Sequence, residues 1–123
     1  MLFYFNQIHF NLLSKAKEIS VRYKAINYEQ LDEIMLSQKI NLVDIRREQD
    51  FLVAHIPGAE HANKDDLASI GERFTKDVPL LVYCYHGISS QSVAQQLVDV
   101  GFRDVYSLTG GFTVWRSMNA KSS

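Results

Sequence analysis

The chain is predicted to fold as an α/β domain, a three-layer sandwich whose mostly parallel central sheet is flanked by helices. Three observations predict it. Short apolar runs alternate with segments of helical period along the chain. The strongest run, Pro79-Leu80-Leu81-Val82-Tyr83, is almost wholly apolar, as central strands of a parallel sheet are. The length, 123 residues, fits one domain, and no internal repeat or low-complexity tract interrupts it.

Val21 to Ile26 reads as a short opening strand. Asn27 is an N-cap residue with Gln30 at the capping-box position. Leu31, Ile34, Met35 and Gln38 then keep a 3.6 period, which predicts a helix over 28–38. Leu42-Val43-Asp44-Ile45 has the length of a buried strand. Residues 47–54 suit a short helix that stops ahead of Pro57-Gly58. Glu60 to Ala62 is a candidate strand. A helix is expected over Asp66 to Phe74, starting near Lys64 or Asp65. After the Pro79–Tyr83 strand comes Cys84, and Ser89 to Val100 turns helical, with Val93, Ala94, Leu97 and Val98 on one face. Gly101 is placed to close that helix. Asp104 to Leu108 reads as the last strand, Gly110-Gly111 as a turn, and Phe112 to Met118 as a final helix packed through Phe112 and Trp115.

Composition narrows the function. The chain is 46% hydrophobic and 22% charged, with a formal net charge of -1, so no basic excess is available for nucleic acid or an anionic membrane. No stretch reaches the roughly 20 apolar residues of a spanning helix. Met1 to Leu13 is apolar but broken by Asn6, Gln7, His9 and Asn11, and lacks a signal peptide's basic start and cleavage site. Residues 1–18 are therefore expected to be an extension packing on a domain at 19–120, or the product of a start assigned too far upstream. A cytoplasmic protein is expected. One cysteine excludes an internal disulfide.

A lone cysteine is most often a buried small hydrophobe, but this one ends the central strand. In parallel sheets the ligand site lies beyond the carboxyl ends of the strands. The segment Cys84-Tyr85-His86-Gly87-Ile88-Ser89-Ser90 joins strand to helix. Backbone N–H groups of such a loop can form an anion-binding nest, and the next helix adds its positive dipole end. Both favour thiolate over thiol. Gly87 suits a positive φ, and Ser89 or Ser90 can cap the helix. Such a site suits nucleophilic attack on an anionic sulfur donor and storage of the sulfur as a persulfide, with no metal or organic cofactor.

These residues resemble the rhodanese family, and in particular its single-domain, GlpE-type thiosulfate sulfurtransferases. The resemblance spans about residues 22–118. Leu42-Val43-Asp44-Ile45-Arg46, His55-Ile56-Pro57-Gly58-Ala59, the Cys84 to Ser90 loop, and Gly110-Gly111-Phe112 with Trp115 occur in the family's order. It implies a rhodanese-like sandwich, Cys84 as nucleophile, and Tyr85, His86, Gly87, Ile88 and Ser89 as the substrate-binding loop. It also implies a small anionic sulfur donor, and cyanide or a dithiol or thioredoxin-like protein as acceptor. Tyr85 and His86 stand where many rhodaneses carry Arg or Lys. Anion binding must then lean on amides, with weak affinity for thiosulfate expected. Ala54 replaces a Gly often found before the His-Ile-Pro-Gly motif.

Asp44, Arg46 and His55 are supporting candidates. Arg46 could steer substrate, but an ion pair with Asp44 that fixes nearby loops is the preferred reading, and His55 is expected to be a structural hydrogen bonder. His86 is either solvent-facing or substrate-influencing. A zinc site of Cys84, His86, His55 and His61 is disfavoured, because Cys-x-His is not a standard ligand spacing. Two other functions compete. A rhodanese-fold phosphatase needs Arg six residues after the cysteine, where Ser90 stands. A non-catalytic binding module would be expected to have lost the cysteine. With no second thiol, any persulfide must discharge to an external acceptor through an open, shallow site.

Overall fold

A computed structural model of the chain describes residues 21–122. Its elements alternate as β1 (Lys24–Ile26), α1 (Tyr28–Ser37), β2 (Asn41–Asp44), α2 (Glu48–Val53), β3 (Glu60–His61), α3 (Leu67–Arg73), β4 (Leu80–Tyr83), α4 (Ser89–Asp99), β5 (Val105–Leu108) and α5 (Gly111–Ser122). The five strands order as β1-β5-β4-β2-β3, and every pair is parallel. The α/β sandwich is thus as expected. The extension expected over residues 1–18 lies outside the described residues.

Central position explains the β4 sequence. All four of its residues are buried, because both faces of the strand are covered. The two-residue side-chain period then divides the core. Leu80, Val82 and Cys84 join Val43, Ile45 and Val105 on one face, under Ile70, Val93, Ala94 and Leu97 of α3 and α4. Leu81 and Tyr83 join Leu42 and Leu108 on the other, under Leu31 of α1 and Phe112 of α5. Cys84, directly after β4, thus continues the buried face of Leu80 and Val82. Since all strands run the same way, the chain following β2, β3, β4 and β5 emerges at one end of the sheet.

Local signals mark most boundaries. Asn27 and Gln30 form the reciprocal capping box, each side chain taking the other's backbone N–H at 2.8 Å. Gly101 follows α4, with its N–H on the Val98 carbonyl and the Phe102 N–H on the Leu97 carbonyl, a Schellman pattern. The third helix keeps the expected bounds, with Asp66 as its N-cap, whose carboxylate takes the Ser69 N–H at 3.1 Å, and Phe74 as its C-cap. Two expectations need correction. The first strand is only Lys24–Ile26, because residues 21–23 turn to α4 instead: Gln95 binds the Val21 carbonyl at 2.9 Å. Neither Ser89 nor Ser90 caps α4; its N-cap is Ile88, with no side-chain cap.

One buried ion pair ties the site end together. Arg46 Nη2 lies 2.7 Å from Asp44 Oδ2, with side chains only 4% and 0% exposed. The same Nη2 donates to the Ala54 carbonyl at 2.7 Å, and the guanidinium stacks 3.8 Å from the Phe112 ring centre. Asp44 also takes a hydrogen bond from Tyr83, whose hydroxyl accepts the Ile56 N–H at 3.1 Å. Burial, then the Asp44 hydrogen bond, hold that hydroxyl protonated well above the ordinary phenol range. The ends of β2, β4, α2 and α5 share one polar network. Removing one partner strands a buried charge. Asp44→Ala is expected to lower unfolding free energy by about 3–5 kcal/mol, with Asp44→Ala/Arg46→Met recovering much of the loss, read by urea denaturation. A loss under about 1 kcal/mol in the single variant would show the pair to be dispensable.

Candidate functional site

Cys84 is a free cysteine that leaves β4 at the point where the chain bends toward α4. The bend is made by residues 85–88, and Gly87 takes φ +84° within it. A side chain could not replace that hydrogen. A Cβ at Gly87 would fall 2.8 Å from both the Gly110 nitrogen and the Leu108 carbonyl oxygen. The loop turns back on its own sulfur. The Ser90 N–H meets Sγ at 3.3 Å, and the nearby His86 and Gly87 N–H groups also favour its ionised form. Sγ thus supplies the acceptor that an N-cap side chain would otherwise offer α4, which accounts for the missing Ser cap.

The His86 amide aims inward because the carbonyl of its own peptide is turned outward, and neighbouring carbonyls of the loop are anchored as well. Every described peptide bond is trans, so the C=O and N–H of one peptide point opposite ways. The N-terminal turn of α5 collects the carbonyls: Phe112 N–H donates to Cys84 at 2.9 Å and Thr113 N–H to Tyr85 at 3.0 Å. With the Tyr85 carbonyl held there, the His86 N–H of the same peptide faces the sulfur. Gln91 Nε2 holds the Gly87 carbonyl at 2.7 Å. This contact with α5 requires Gly111, whose Cβ would sit 2.6 Å from the Cys84 and Tyr85 oxygens. The Gly110-Gly111-Phe112 motif is the outer half of the cysteine loop.

Hydroxyl groups complete the shell. Ser90 Oγ lies 3.4 Å from Sγ and 2.8 Å from Ser107 Oγ, with both serines buried. A hydroxyl carries one proton. When the sulfur is ionised, Ser90 donates to it and Ser107 donates to Ser90, a polarised chain that reaches β5. Burial pushes the Cys84 thiol up, but the Ser90 hydroxyl and the Ser90, Gly87 and His86 amides together outweigh it, holding the thiol below its ordinary value. The thiolate is present above that lowered range, while the stability it contributes is complete above the ordinary thiol range and is lost as pH falls from there through the lowered one.

Sγ is not sealed. Cys84 is 5% exposed and forms part of the wall of a cleft of about 650 Å³, together with Arg47, Lys64, Arg73, Tyr85 and Ser89. The loop side chains mostly point elsewhere. Tyr85 bonds the Asp50 carboxylate and receives Arg47 Nε at 3.3 Å. His86 and Ile88 are exposed. His55 stacks on Phe51 and bonds its carbonyl at 2.8 Å, and His61 bonds the Arg46 carbonyl at 2.6 Å. The structure therefore brings together Cys84 with the backbone of residues 86, 87 and 90. Asp44 and Arg46 sit behind it as scaffold. Ser90 as a sulfur ligand and Ser107 as its partner escaped the sequence reading. Ser107 had one available signal, a hydroxyl in the buried strand beside β4.

The chain matches the rhodanese-like domain family over residues 27–118. It is 43% identical over 100 residues to the thiosulfate sulfurtransferase GlpE of Coxiella burnetii, covering 81% of this chain and 94% of that one. It is 44% identical over 98 residues to the enzyme of the same name from Shewanella oneidensis, covering 80% and 97%. The crystal structure of a rhodanese-like domain protein from Staphylococcus aureus superimposes with a TM-score of 0.68 at 26% identity, over 75% of this chain and 90% of that one.

Ser90→Ala removes one donor and leaves burial less opposed. The pH profile of Cys84 alkylation by iodoacetamide is expected to move to higher pH. Gly111→Ala should move it the same way, by disturbing the carbonyl anchors, and cost about 1–3 kcal/mol in stability. An unmoved profile in both variants would remove the hydrogen-bonded shell as the cause of ionisation.

Proposed function

The chain belongs to the rhodanese family, and from that premise we propose that it is a thiosulfate sulfurtransferase working through a persulfide on Cys84. One observation carries the reading: the Ser90 N–H and hydroxyl bond the sulfur of a free cysteine on the wall of an open cleft, and the His86 and Gly87 amides of the same loop add to its ionisation.

Those donors suit each stage of the cycle. The Cys84 thiolate attacks the outer sulfur of thiosulfate. The Cys84 Sγ–S bond forms, the donor's S–S bond breaks, and its electron pair leaves with sulfite. Negative charge is conserved throughout: a thiolate and a dianion become a persulfide anion and a dianion. The outer persulfide sulfur carries the charge that the nest and the start of α4 hold. No proton moves, so no general base is needed, which agrees with His55 and His61 being bonded to carbonyls. An acceptor nucleophile then attacks the outer sulfur and returns the thiolate. Cyanide leaves as thiocyanate. A dithiol or thioredoxin-like protein would take the sulfur in the cell, which we place in the cytoplasm. The lone cysteine makes an external acceptor obligatory.

A phosphatase reading has no support at the site. The sixth residue after the cysteine is Ser90, buried and turned to Sγ and Ser107, and no guanidinium fork comes from the loop. A binding-module reading leaves an ionised, accessible thiol without a use.

Intact-mass measurement after thiosulfate treatment tests the proposal. The wild-type chain should gain one sulfur atom, and cyanide should remove it with release of thiocyanate. Cys84→Ser should gain nothing, and its thiocyanate formation should fall to background. A folded wild-type protein that never acquires sulfur would instead favour the binding module.

A further inference from the structure

The donor carries two negative charges and must approach a third on Cys84. The loop offers it only dipoles, since residues 85–90 contain no Lys or Arg. Cations line the cleft from elsewhere, and their partners separate them. Arg46 is buried against Asp44 at 2.7 Å. Arg47 is held by Asp50 at 3.2 Å and by the Tyr85 hydroxyl. Arg73 is held by Glu60 at 3.2 Å and by the His61 carbonyl at 2.9 Å. Lys64 is the exception: among the described residues it forms neither an ion pair nor a hydrogen bond, and it is exposed.

Its backbone is placed with some care. The Ala62 N–H adds to the Asp44 carbonyl at 3.0 Å, extending the β3 pairing. A turn follows in which Asn63 binds the Asp65 N–H through its side chain at 2.9 Å and the Asp66 N–H through its carbonyl at 3.0 Å. This turn holds Lys64 at the sheet end that carries Cys84, two strands away across β2. The carboxylates of Glu48 and Asp65 line the same cleft. Among the described residues, Lys64 is thus the lining cation whose charge is not already engaged by an ion pair.

We infer that Lys64 is a specificity-determining residue, whose unpaired ammonium selects dianionic sulfur donors by attracting the end of the donor that departs as sulfite. It supplies from outside the loop the fixed charge the loop lacks. The inference rests on the sulfurtransferase reading. The stem is flexible and the contact solvent-exposed, so the attraction is screened by salt and acts on substrate binding more than on the chemical step.

The test compares wild type, Lys64→Gln and Lys64→Arg with two donors, dianionic thiosulfate and monoanionic methanethiosulfonate. Both give Cys84 one sulfur atom, and they lose sulfite and methanesulfinate respectively. In Lys64→Gln the thiosulfate KM should rise roughly three- to tenfold with kcat changed by less than about twofold, the scale of one partly screened charge acting on a dianion. The methanethiosulfonate KM should rise by a smaller factor. The salt dependence of the thiosulfate KM should flatten, and Lys64→Arg should restore it. An unchanged thiosulfate KM, or equal factors for both donors, would overturn the assignment of Lys64 while leaving sulfur transfer standing. A wild-type chain that accepts sulfur from neither donor would overturn the sulfurtransferase reading, and this inference with it.

Discussion

The site depends on the orientation of a few peptide planes. A sulfur buried beside apolar residues would stay protonated, because burial disfavours the charged form. Here the opposing force is N–H groups aimed at one point, and the His86 N–H holds that aim while the Tyr85 carbonyl of its peptide is occupied elsewhere. The first turn of α5 does this, taking the Cys84 and Tyr85 carbonyls with the Phe112 and Thr113 N–H groups. One helix start thus orients the loop from outside while a second, that of α4, faces the sulfur directly. Gly87 and Gly111 are the two places where the backbones come too close for a side chain.

The polar network behind the loop serves the same end. Arg46 spends its charge on Asp44 and its face on Phe112, and thereby fixes the residue whose N–H holds the Cys84 carbonyl. A guanidinium so committed cannot also bind substrate. Positioning and substrate attraction have fallen to different residues: buried Arg46 for the first, exposed groups on the cleft wall for the second. That division lets the loop itself be uncharged.

Much of this was legible in the sequence. The apolar Pro79–Tyr83 run placed Cys84 at a strand end, and the positive-φ requirement at Gly87 was readable from its place in a tight turn. Asn27 with Gln30, and Gly101 after α4, are local hydrogen-bonding signals, and local signals survive without tertiary information. What could not be read depends on contacts distant in the chain. Ser90 looked like a helix cap because serines at helix starts usually are; the fold gave its N–H and its hydroxyl to a sulfur six residues earlier. Ser107 matters only because β5 lies beside β4. Residues 21–23 had strand composition but lost their partner to Gln95. Arg47, Lys64 and Arg73 share a cleft only once three strands are in register.

The sharpest test of the cradle is to titrate the thiolate of the unmodified chain by its ultraviolet absorbance, folded and again in denaturant. The single cysteine gives the signal one source. A folded-state midpoint clearly below that of the denatured chain is expected. A midpoint equal to the denatured value, or above it, would mean that burial wins and that the converging amides do not hold the charge.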